Sequence, residues 1–191
     1  MGANVNFKHG LMPKHSPNGD SPPGNRYPLK QAISGASTAY TTKIYRGQPV
    51  KMGTSGWVIA VAATNTTNIL GHAGEYYAGT SVGVDARSTD IFVHDAKEQE
   101  FVAQIDNTVA ITDTSTLIHK NFALTSVDNG NTNNGISAAV LDYSSGATTD
   151  KPYRVIGVIA HAGATRLSAN AKVKCVVNHA WMWREQTTAI A

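Results

Sequence analysis

Apolar residues in this chain come in short runs with a period near two, the spacing of a strand with one face inward. "EFVAQID" (100–106) places Phe101, Ala103 and Ile105 on one face. "YRVIGVIA" (153–160) and "AKVKCVVNHAW" (171–181) are the clearest strands, and "DIFVH" (90–94) and "ISAAVLD" (136–142) are shorter ones. "KIYRGQPV" and "GWVIAVAA" flank "KMGTSG" (51–56), which predicts a hairpin turn. Gly71 and Gly74 inside "NILGHAGEYYAG" predict a bulge or a tight bend. "LIHKNFAL" (117–124) suits strand or helix, and "DAKEQE" (95–100) suits one helical turn capped by Asp95. "TSVDNGNTNNG" (125–135) is a loop, with Asn-Gly at 129–130 and 134–135 for tight turns. Turn signals recur about every eight to twelve residues, the spacing of an all-β fold. The expectation is a single β-barrel or β-sandwich, jelly-roll-like, over 43–191.

The pattern breaks before residue 43. "HGLMPKHSPNGDSPPGNRYPLK" (9–30) holds five of the seven prolines and almost no apolar periodicity. Proline fixes φ and removes an amide donor, so this stretch favours extended geometry. It predicts an extended arm and connector over 1–42 that adds nothing to the core. Fully extended, thirty residues reach about 100 Å.

Charge sharpens that division. Lys8, Lys14, Arg26 and Lys30 against Asp20 give the first thirty residues the whole net charge of +3, and twelve basic and twelve acidic residues balance elsewhere. The four cations are too thinly spread, with no regular aromatic interleaving, for nucleic acid to be expected as a direct partner. No apolar run approaches the ~18 residues of a membrane span, and no signal-peptide pattern opens the chain. The expectation is a soluble protein made in a cytoplasm, with no membrane partner.

The motifs of common chemistries are not found in the sequence. The seven histidines form no HxH, HxxxH or HExxH pair, and no GxSxG or phosphate-binding loop occurs. Asp106, Asp113, Asp142 and Asp150 lie at strand ends or turns, where Asp ordinarily holds backbone amides; a carboxylate pair for glycoside hydrolysis is the weaker reading. Cys175, alone in its type and inside an alternating run, suits a buried structural thiol. The expectation is no enzyme activity, no cofactor and no metal. Trp181 and Trp183 share one strand face and suit a subunit interface or a barrel plug.

Two classes of function fit these features. One is a structural binding module with an arm laid along a partner; the other is a carbohydrate- or host-binding β protein on a virion surface. The order of "GLMPKHSPNGDSP", "YRGQPVKM", "NILGHAGEYY", "HDAKEQEFVAQID", "GISAAVLDYSSGATTDKPYRVIGVI" and "SANAKVKCVVNHAWM" favours the first. Over most of 7–182 the chain resembles the capsid decoration, or cement, proteins of tailed bacteriophages. That resemblance implies an all-β virion protein on the outer capsid surface, made in the bacterial host cytoplasm. It implies binding to major capsid protein subunits, which the protein would bridge, and to itself as a dimer or trimer. With the arm reading it makes Phe7, Leu11, Pro13 and Tyr27 apolar anchors, and sets Lys8, Lys14 and Arg26 against acidic capsid surface. Deleting 2–30 is then expected to leave a folded body that fails to decorate.

Overall fold

A computed structural model describes residues 10–14, 22–29, 42–53, 56–61, 69–79, 90–96, 98–108, 111, 114–127, 129–148, 151–159 and 169–178. In chain order its strands are β1 (Met12–Pro13), β2 (Asn25–Pro28), β3 (Pro49–Met52), β4 (Val58–Ala60), β5 (Ile69–Ala73), β6 (Asp90–His94) and β7 (Phe101–Gln104). There follow β8 (Asn121–Phe122), β9 (Leu124–Thr125), β10 (Gly130–Asn131), β11 (Ile136–Ser137), β12 (Val140–Leu141), β13 (Tyr153–Val158) and β14 (Lys172–Val177). Single 3-10 turns lie at Thr114–Thr116 and Tyr143–Ser145.

These strands make two five-stranded sheets and two small pairs. The first sheet has the order β1-β7-β14-β13-β8, the second β2-β6-β5-β3-β4, and every pairing within them is antiparallel. Among the described residues the first sheet ends at β1 and β8; in the second, β2 and β4 end the order and a single parallel bridge from Leu29, just after β2, to Val58 of β4 brings those ends together. The all-β expectation holds in its sandwich-like form. A closed barrel is not formed among the described residues.

Period-two alternation explains the first sheet. In β14, Val173, Cys175 and Val177 are buried while Lys172, Lys174 and Val176 are half-buried. Phe101, Ala103, Tyr153 and Val155 join the inward set in a core that also takes Leu11, Phe122, Leu124, Leu141 and, from the second sheet, Ile69. A second core lies against the second sheet, built from Leu29, Ile44, Val50, Val58, Leu70, Ala73, Ile91 and Val93.

The predicted irregularity around Gly71 is a bulge. Val50 faces Gly71 but Lys51 faces Ile69, so Leu70 is the extra residue. The bulge shifts the alternation by one residue, so Ile69 and His72 both face the first core while Leu70 and Ala73 face the second. Gly71 itself lies so close to β6 that a Cβ there would sit 2.3 Å from the His94 carbonyl oxygen.

Other expectations change. "DIFVH" is β6 as predicted, and the 51–56 turn joins β3 to β4, where the Gly53 amide donates to the Trp57 carbonyl at 2.8 Å. "ISAAVLD" is interrupted: β11 and β12 flank a turn in which Ser137 Oγ accepts from the Ala139 amide at 3.1 Å. In 95–100 the Gln99 amide closes one turn on the Ala96 carbonyl at 3.1 Å, and the Asp95 carboxylate accepts from the Asn25 and Tyr27 side chains.

The largest correction concerns 1–42. Within the described residues this stretch supplies an edge strand to each sheet, β1 beside β7 and β2 beside β6. Leu11 is fully buried in the first core and Leu29 is buried in the second. Proline suits these places because an edge strand leaves one row of amides outside the ladder. The described residues of the stretch therefore belong to both sheets and both cores rather than to a coreless arm.

Candidate functional site

The residues expected to bind a partner fall into three groups. Phe7, Lys8, Trp181 and Trp183 lie outside the described residues. Leu11 is a core residue, with 0% exposure, so in this fold it does not serve as a surface anchor. Its amide donates to the Gly47 carbonyl at 2.9 Å, and the preceding Gly10 has φ +64° with Ser137 and Gly47 too close to admit a Cβ.

The third group is held by the chain itself. Lys14 Nζ lies 3.1 Å from Glu100 Oε2, and that carboxylate raises the lysine's pKa. Arg26 lies over Glu75, with Nη1 3.1 Å from Oε1. Glu75 Oε1 also accepts the Phe92 amide at 2.8 Å, so the acid is positioned by β6. Pro13 is half-buried in β1, and half-buried Tyr27 donates its hydroxyl to Asp95. Lys14 and Arg26 thus fasten the N-terminal segment to β7 and the second sheet, where the sequence suggested cations waiting for a capsid.

Antiparallel register assembles a polar cluster that motif spacing does not reveal. His72 of β5 and His94 of β6 are direct cross-strand partners. His72 is fully buried, with Nε2 2.9 Å from Tyr153 Oη of the first sheet and its ring against Phe101 at 4.1 Å between centroids. Burial, reinforced by nearby His94, drives its pKa down to about 3, so the ring is neutral near neutral pH. Burial also lowers His94, whose Nδ1 is 3.3 Å from the Pro23 carbonyl, and raises Tyr153 and Cys175. A neutral imidazole, an un-ionised phenol and an un-ionised thiol form a packed inter-sheet contact. Among the described residues no group of three metal-ligating side chains occurs.

Of the four aspartates weighed for a carboxylate pair, Asp106 and Asp142 serve the backbone. Asp106 Oδ1 accepts the Tyr143 amide at 2.6 Å, and Asp142 Oδ1 accepts the Ser144 amide at 2.9 Å. Asp113 and Asp150 lie outside the described residues.

The first sheet also has an outward face. Register places Met12 beside Val102, Val102 beside Lys174, Gln104 beside Lys172, and Val176 beside Arg154. A second bulge, between Val155 and Gly157, adds Ile156. Met12, Val102, Ile156 and Val176 are half-buried and belong to neither core, while Arg154 is exposed. The strand alternation that reveals this face was legible in "YRVIGVIA" and "AKVKCVV"; that Met12 and Val102 extend it was not.

The fold and these surfaces define an all-β, sandwich-like protein whose N-terminal segment is woven into both sheets. Comparison of the chain with protein-family models, curated proteins and solved structures finds no match. Among the described residues, no helix is long and apolar enough to cross a membrane.

Proposed function

We propose that this chain is a structural virion protein that decorates the icosahedral capsid of a tailed bacteriophage and stabilises it by bridging major capsid protein subunits. The ordered series of stretches that resembles decoration proteins motivates the reading. The structural observation that carries it is the bracing of the fold: one N-terminal segment edges both sheets and gives a buried leucine to each core. A body so cross-tied suits a protein whose task is to resist deformation of a pressurised shell. Modest contacts repeated by the shell's symmetry supply avidity, so no single interface need be strong. In this reading the protein is homo-oligomeric, sits on the outer surface and performs no catalytic step.

Quantitative mass spectrometry of purified virions tests the proposal. Hundreds of copies per particle, removable without loss of tails, are expected. A few copies located at the tail favour the host-binding alternative, and absence from the particle overturns both.

A further inference from the structure

The outward face of the first sheet combines two properties. It carries aliphatic side chains, Met12, Val102, Ile156 and Val176, half-buried and outside both cores, interleaved across the strands with cations, so that Lys174 stands between Val102 and Gly157 and Arg154 beside Val176. Its charge has one sign: the charged residues on β1, β7, β8, β13 and β14 are Arg154, Lys172 and Lys174, all basic. Glu100, just before β7, is already paired with Lys14. The rest of the chain beyond the first thirty residues balances acid and base, so this sign is a local concentration.

We propose that this face docks an acidic protein surface whose carboxylates alternate with apolar side chains. The inference rests on the decoration reading, in which that surface belongs to the capsid shell. Charge complementarity selects the occupant. A second copy seated on the same face by two-fold symmetry opposes lysine and arginine to themselves, which is repulsive. Nucleic acid would satisfy the cations, but the named face residues include no aromatic ring to stack a base, and phosphates leave the four aliphatic side chains uncovered. An acidic protein surface meets both needs. Carboxylates pair with Arg154, Lys172 and Lys174, whose aliphatic stems extend the apolar floor, while Val102, Ile156 and Val176 lose water against apolar partner residues.

Co-sedimentation of the full chain with undecorated shells, at low and high salt, tests this surface. Arg154→Glu/Lys172→Glu/Lys174→Glu is the main variant, and Lys51→Glu on the second sheet is a charge control. Thermal melting checks folding, and Ile156→Ser/Val176→Ser probes the apolar part without changing charge. Acetylation of the wild-type lysines, free and shell-bound, gives a readout independent of any variant. The triple reversal is expected to weaken binding about tenfold or more and to flatten its salt dependence. The serine variant weakens binding with the salt dependence kept, Lys51→Glu binds as wild type, and Lys172 and Lys174 are protected on the shell. If the folded triple variant binds like wild type, or both lysines stay equally reactive on the shell, the docking face is wrong and decoration stands. If the wild-type chain binds no shell, the decoration reading falls and takes this inference with it.

Discussion

His72 shows what one side chain contributes between the sheets. Its ring is fully buried beside Phe101 and Tyr153, with His94 as cross-strand neighbour. The folded pKa of about 3 lies below the unfolded value of 6.5, so the unfolded chain binds the proton first as pH falls. The neutral ring's contribution is therefore complete above pH 6.5 and is lost progressively toward pH 3, with a limiting slope of about 1.4 kcal/mol per pH unit. His94 is shifted in the same direction and adds to the loss. Urea denaturation of wild type and His72→Leu from pH 7.5 to pH 4.5 checks this. The variant is expected to be less stable at pH 7.5, because the Tyr153 hydroxyl loses its partner at a cost of about 1–3 kcal/mol. It is also expected to show a shallower pH slope by nearly one proton. Parallel curves would show that His72 does not carry the acid sensitivity. Nothing in the local sequence announces this pair, since His72 and His94 meet only through the register of β5 and β6.

At the scale of elements, the strands with clear alternation were legible, and the ones without it were not. β7 and β14, and β13 as far as its bulge after Val155, follow their period closely enough to assign faces. β1 has two residues, too few to show any period, and β2 has four with two exposed. Leu11 and Leu29 stand beside prolines in stretches without apolar periodicity, so local pattern gives no reason to bury them. The composition that suggested a free arm is also the composition an edge strand tolerates, and only pairing partners far along the chain decide between them. The consequence reverses the expectation for truncation. Removing 2–30 takes away both edge strands and both leucines, so the remainder is expected to melt at lower temperature or to aggregate, rather than to persist as an intact body. Leu11→Ala in the full chain isolates the core part and is expected to cost about 2–5 kcal/mol. Calorimetry checks both, and a truncated chain with wild-type melting behaviour would restore the independent arm.

The described residues form two hydrophobic cores that do not divide the chain between them. β5 supplies both, with Ile69 facing the first and Leu70 and Ala73 the second. The N-terminal segment does the same through Leu11 and Leu29, and His72 ties β5 to Tyr153 of the opposite sheet. Unfolding either core displaces a strand that the other requires, which couples them into one cooperative unit. Such coupling is what a clamp on a strained surface needs, because a load on one sheet is shared by the other. Leu29→Ala, a change within the second core, makes this measurable. It should shift the entire denaturation curve, with far-UV circular dichroism and near-UV aromatic signals moving together in a single transition. Hydrogen exchange should show β14 losing protection along with β3, although no residue of β14 belongs to the second core. Two separated transitions, with β14 protected after the second sheet has opened, would establish that the cores fold independently and that the shared strand does not brace them.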